Sequence, residues 1–278
     1  MQATTTAPTW AIQLFNKSIL KRRKFQEVTA LLGDVAGQRC LDIGSDNGVI
    51  SYLLRQRGGT WSSADLNPQT VTAIRELVGE EVYQITGEAL PFPDETFDCV
   101  AIIDFLEHIP DDRRFVDELY RTLKPGGTLI VNVPHLKDSP LRRFRFRIGQ
   151  TDEKHGHLRP GYTVDTLSIV FGNRFRIETA HTYSKFFSEL IDTLIVFAVT
   201  TLKGGGHTDK GLVVTGSDLK ANKSMFRLYS LIYPVVWVFS QLDALVPASG
   251  YMLILKAQKT ASAPLHAERE NVPSAATS

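Results

Sequence analysis

Between residues 38 and 134 short apolar runs alternate with amphipathic ones, and no other feature of the chain narrows its fold as much. "RCLDIG" reads as a strand and residues 47–57 as a helix. "TWSSADL" is a second strand, and "NP" at 67–68 opens the next helix, with Asn67 as N-cap and Pro68 at the first helical position. "EVYQIT" and "FDCVAIID" are the third and fourth strands. "PDDRRFVDELYRTLKPGG" is a helix with acids at its start and a Pro-Gly stop, and "TLIVNVP" is the fifth strand. This alternation predicts an α/β fold: a doubly wound, mostly parallel sheet with helices on both faces. Ligands of such sheets bind at the carboxyl ends of the strands.

The chain has 278 residues, 43% of them hydrophobic, enough to bury a full core. A net charge of +1 gives no general attraction to nucleic acid, and no partner of that kind is expected. Cys40 and Cys99 both lie in strand-like runs, so a reducing, cytoplasmic compartment is expected rather than a disulfide framework. "MQATTTAPTW" lacks the basic start and apolar core of a signal peptide.

Residues 10–32 have the spacing of one amphipathic helix. Beyond Pro134 the stretch up to Tyr162 is polar and basic and reads as a loop. "TVDTLSIVFG" is a short helix ending at Gly172, and "RFRIETAHTY" is a strand. Two apolar helical stretches follow, 185–202 and 224–246, separated by a linker containing "GGGHTDKG", and "YMLILKAQK" is a last strand. The expected organisation is an N-terminal helical segment (1–36), an α/β core (37–184), an apolar helical insert (185–249), the last core strand (250–259) and a disordered tail (260–278).

The turn "CLDIGSDNGVIS" asks for a ligand. Gly44 allows a sharp bend, Gly48 allows close approach of helix and ligand, and a helix N-terminus favours anions. A phosphate-binding loop would end in Gly-Lys-Ser/Thr, and none is present. A dinucleotide turn would hold a third glycine. The acid expected at the end of the second strand is present as Asp65, but the glycine spacing is wrong.

Taken in order, "CLDIGSDNG", "SSADLNP", "GEALPFPDETFD", "IIDFLEHIPD" and "LKPGGTLIVNVP" resemble the class I S-adenosylmethionine-dependent methyltransferases, in particular the small-molecule group. The resemblance covers residues 38–134 and, more loosely, the chain up to 182. It implies S-adenosyl-L-methionine as cofactor and a seven-stranded sheet with the insert lying before the last strand. By the same resemblance Asp42, Gly44, Ser45 and Gly48 hold the methionine part of the cofactor. Asp65, with Leu66 beside it, takes the ribose, a task suited to an acceptor-only carboxylate. Glu88 and Ala89, within the stretch 87–90, border the adenine, and Asp104 faces the transferring methyl. Two residues depart from the family pattern. Thr86 stands where an acid usually faces the adenine amine, and Asp46 replaces the middle glycine of the turn. An acid at 46 is acceptable beside a cationic nucleoside and unfavourable beside a pyrophosphate.

A base is required only if the acceptor must lose a proton. His108, His135, His155 and His157 are the candidates, and His157, in the loop after the fifth strand, is the expected catalytic residue. The spacing of His155 and His157 hints at a metal, but no cysteine or acid completes a set in the sequence, and no metal is expected. The acceptor is expected to be small or lipid-like. The insert stretches each carry too few apolar residues, or too many acids, to span a bilayer, and instead suit a lid, a membrane surface or a homodimer interface. "LKRRKF" and "LRRFRFR" suit anionic headgroups, which makes peripheral attachment at the membrane an expectation. The other readings are methylation of a sugar or lipid-linked saccharide, and a non-catalytic cofactor-binding or membrane-associated scaffold.

Overall fold

The computed structural model describes residues 9–45, 47–152, 156–202 and 223–261. Asp46, His155, the glycine-rich linker at 204–211 and the tail from 262 lie outside the described residues. Seven strands form one sheet: β1 (Arg39–Ile43), β2 (Thr60–Asp65), β3 (Val82–Gln84), β4 (Phe97–Ile103), β5 (Leu123–Pro134), β6 (Phe175–Tyr183) and β7 (Met252–Lys259). Their order is β3-β2-β1-β4-β5-β7-β6. The first five pair in parallel, while β7 runs antiparallel to both β5 and β6. This is the doubly wound, mostly parallel sheet that the alternation predicts.

The helices are α1 (Thr9–Asn16), α2 (Ile19–Leu32), α3 (Val49–Arg55), α4 (Pro68–Val78), α5 (Asp112–Thr122), α6 (Pro140–Arg147), α7 (Val164–Phe171), α8 (Phe186–Leu202) and α9 (Lys223–Gln241). They cover both faces, so the central strands bury both sets of alternating side chains. Leu41, Ile43, Val100 and Ile102 pack with Phe115 and Leu119 of α5 and with Leu167 and Phe171 of α7. Cys40, Cys99, Ala101 and Ile103 face the other way, onto Val28 and Leu32 of α2 and Val49, Ile50 and Leu54 of α3. Each fully buried Leu, Ile or Phe contributes on the order of 1.5–3 kcal/mol. Cys40 and Cys99 are neighbours across β1 and β4, both buried and both free thiols. Hydrogen bonding to Cys40 and burial push the Cys99 thiol well up, so the pair is unreactive packing.

Two expectations are corrected. The single helix over 10–32 is two, because Ser18 ends the first turn sequence and caps the second helix, its hydroxyl accepting the Lys21 amide at 3.3 Å. The basic stretch after Pro134 is not all loop, since it contains α6. Ser139 caps α6 by accepting the Arg142 amide at 3.1 Å, and Pro140 occupies its first turn. Between β6 and β7 the chain runs through α8 and α9. Among the described residues no helix is long and apolar enough to cross a membrane.

Candidate functional site

The carboxyl ends of β1, β2 and β4 converge on the turn after β1. Asp42 is fully buried there, and its carboxylate is engaged on both oxygens. Oδ1 accepts the hydroxyls of Ser45 (2.5 Å) and Ser51 (2.6 Å). Oδ2 accepts the Ser63 hydroxyl at 2.7 Å and lies 3.6 Å from Arg55. Burial lowers the Arg55 pKa while Asp42 opposes the shift. These partners offset the cost of burying the charge. The resemblance sets Asp42 and Ser45 against the cofactor's methionine. In the structure both side chains are spent on ordering the turn, and what the turn can offer a ligand is its backbone.

The two glycines act differently from each other. A Cβ on Gly44 (φ 85°) would meet the carbonyl oxygen of Ile103 at 2.3 Å and Cβ of Phe105 at 2.8 Å, so the turn abuts the end of β4. A Cβ on Gly48 (φ 79°) would meet Cα of Ile74 at 2.7 Å. The missing side chain at Gly48 thus lets α3 approach α4 closely.

At the end of β2, Asp65 is nearly buried, and its Oδ1 accepts the Asn67 amide at 2.9 Å, a turn that leads into α4. Leu66 and Ile109 meet over Gly87, whose missing side chain would strike Ile109 Cδ1 at 2.8 Å. Ala89 and Glu88 are exposed, and the Glu88 carboxylate lies 3.7 Å from Arg114. The loop that follows is fixed from α5: Glu118 accepts the Leu90 amide, and Arg121 donates to the carbonyls of Leu90 and Phe92.

Asp104 follows β4 in a left-handed conformation (φ 48°). Its Oδ1 accepts from Asn132 Nδ2 at 2.7 Å, and Asn132 Oδ1 in turn accepts the Tyr183 hydroxyl at 2.5 Å. Burial pushes the Tyr183 phenol well up, so it stays a donor. The other Asp104 oxygen accepts from Lys24 of α2. Beside this chain lies a cavity of about 320 Å³, bounded by α2, α6, α8 and the ends of β4 and β5. Ion pairs cross its wall, Lys137 with the buried Glu189 (2.9 Å) and Arg142 with Asp152 (2.5 Å).

His157 also lines this cavity and is nearly buried. Its Nε2 is 3.8 Å from Oε1 of Glu107, which is fully buried, and Nε2 of His108 is 3.9 Å from the same oxygen. Nδ1 of His108 is 2.8 Å from the Gly156 carbonyl, which can only accept, so that nitrogen carries the proton. Glu107, His108 and His157 offer ligand atoms within 4.8 Å of one another and could hold a divalent cation. This set differs from the pair His155 and His157 considered from the sequence, and His155 lies outside the described residues. Lys24, Asn132 and Tyr183 are further site residues that sequence reasoning missed. Asn132 alone left a signal, as a polar residue inside the apolar run "LIVNVP".

Among the described residues the site holds acids (Asp65, Asp104) and a glycine turn with no room for a side chain, a set suited to a cationic nucleoside. Residues 41–131 match the family model described as a methyltransferase domain. The ubiquinone biosynthesis O-methyltransferase of Pseudomonas entomophila (strain L48) is 38% identical over 99 residues, 34% of this chain and 43% of that protein. Its counterpart from Pseudomonas fluorescens (strain Pf0-1) is 37% identical over 100 residues, with the same coverage. The chain thus spans less than half the length of these relatives. Among solved structures, the YcgJ protein of Bacillus subtilis superposes with a TM-score of 0.53 at 16% identity, covering 87% of this chain and 100% of that one. The [4+2]-cyclase SpnF superposes at 0.54 with 17% identity, covering 86% and 79%. These two likenesses concern the fold alone.

Proposed function

We propose, from the match of residues 41–131 to a methyltransferase domain, that the protein transfers a methyl group from S-adenosyl-L-methionine to a small or lipid-like acceptor. The observation that carries the reading is that the matched residues 41–131 supply both the Gly44 turn and the acid at the end of β2. The names of the curated relatives favour an O-methyl transfer to a lipid-like molecule.

The cofactor supplies an activated methyl group on a positively charged sulfur. The chain's task is to bind, orient and exclude water. Asp65 would accept hydrogen bonds from the ribose, the backbone of the Gly44 turn would hold the amino-acid end, and Leu66 would pack near the adenine with Glu88 and Ala89 at its rim. Asp104, fixed through Asn132 and Tyr183, would stand at the transferring methyl. The acceptor's reacting end would occupy the cavity beside it. His157 would receive the acceptor's proton on a ring nitrogen, and Glu107 would stabilise the imidazolium so formed. The polar outer residues of α6 and the apolar ones of α8 and α9 would meet a membrane surface, in a cytoplasmic protein attached peripherally.

Calorimetry with S-adenosylhomocysteine tests the reading directly. Binding is expected, and Asp65→Ala should weaken it by about 1.5–3 kcal/mol, the range for a hydrogen bond to a charged group. No binding by the folded wild-type protein would refute the methyltransferase reading. Unchanged affinity in a folded Asp65→Ala variant would remove Asp65 from the site.

A further inference from the structure

We infer that Lys24, on α2 and outside the matched domain, is an acceptor-binding residue that selects an acceptor attacking through a negatively charged oxygen. The inference rests on the methyltransferase reading and names the acceptor chemistry of that site. Lys24 donates to Asp104 at the end of β4, next to the Gly44 turn. Asp104 cannot follow Lys24 if that side chain swings, because its second oxygen is held by Asn132, and Asn132 is held by the buried Tyr183. The pair therefore combines a fixed anion with a cation on a flexible four-carbon stem. Lys24 also lines the cavity into which an acceptor must enter.

Charge decides what that acceptor is. The charged side chains lining the cavity balance, Lys24, Lys137, Arg142 and Arg145 against Asp104, Asp152, Glu189 and Asp192, so a bound sulfonium leaves one net positive charge at the point of transfer. A protonated amine would add a second, whereas an oxyanion cancels the first. In a half-buried site such imbalances are not screened as they are in water. The oxyanion, its proton already passed on to solvent, forms a bond to the methyl carbon with its own electron pair, and the carbon–sulfur pair passes to sulfur. Afterwards ether and sulfide are both neutral, and Lys24 and Asp104 balance each other again. Nothing then holds the product by charge.

The test uses benzoate and benzylamine, single rings bearing one anion or one cation, titrated into the full chain loaded with S-adenosylmethionine or with S-adenosylhomocysteine. Benzoate should bind, more tightly in the presence of the sulfonium, and benzylamine should bind less well. Lys24→Met should weaken benzoate by about tenfold or more while leaving S-adenosylmethionine binding intact or stronger, which also reports that the variant is folded. Lys24→Arg should keep benzoate binding. A preference for benzylamine, no benzoate binding by wild type, or equal benzoate affinity in Lys24→Met would overturn the inference. Failure of the wild-type protein to bind S-adenosylhomocysteine would instead overturn the methyltransferase reading on which it rests.

Discussion

At Gly48 and Gly126 the backbone takes nearly the same left-handed φ, 79° and 72°, yet the two positions differ in what surrounds them. A Cβ at 126 would meet only the end of the Gln258 side chain at 3.9 Å, whereas at 48 it would press into the backbone of α4. Gly126→Ala should therefore cost only the conformational penalty, about 1–2 kcal/mol, and Gly48→Ala about 1–3 kcal/mol more, from overpacking. Urea unfolding of the two variants measures the difference, and equal losses would show that α3 and α4 separate without cost. At the same scale His157 is the residue on which turnover should depend. His157→Ala should lower kcat by roughly 10²–10⁴-fold with S-adenosylhomocysteine affinity unchanged. Full turnover in that variant would mean that the acceptor's proton leaves by another route.

Among the elements, α6 joins two surfaces. Arg142, Arg145 and Phe146 line the cavity, while Arg143, Phe144 and Arg147 are exposed and lie outside its lining. The exposed pair of Arg143 with Asp138 contributes little to stability, which leaves the guanidinium available to a stronger anion. On α9 and just beyond it, Leu231, Val235, Val238 and Leu245 are all more than half exposed. Flotation with anionic vesicles is expected to show binding that weakens with salt and falls on Arg143→Ala, Phe144→Ala and Arg147→Ala, changes that leave the cavity wall untouched. A stable dimer with no vesicle binding at low salt would refute the membrane reading. The strands were legible in the sequence because both faces of the sheet are buried, which makes each one a dense apolar run. The helix α6 was not, because its arginines masked the signals that Ser139 and Pro140 carry. The glycine turn after β1 was legible as a local motif, since its glycines and acids lie within a few residues of one another. The cavity side was not: Lys24 meets Asp104 across 80 residues of chain, and Glu107 meets His157 only through the folded loop.

On the scale of the whole molecule, the sheet order has a consequence for how the chain is made. β7 lies between β5 and β6 in space but is the last of the seven strands to leave the ribosome. Until it does, β6 has no partner, and β5 presents a bare edge from Thr128 to Pro134, the stretch that β7 later pairs. All of α8 and α9, with their exposed apolar side chains, is synthesised during that interval. Bare edges beside apolar helices invite association with other chains. A chain ended after Ser249 should therefore be recovered in the insoluble fraction, and β7 supplied separately as a peptide during refolding should restore solubility. A soluble, monomeric truncated chain would show that the first five strands are self-sufficient. The growing chain thus depends on its final strand as a keystone, and the span of time before that strand emerges is when a chaperone would have most to protect.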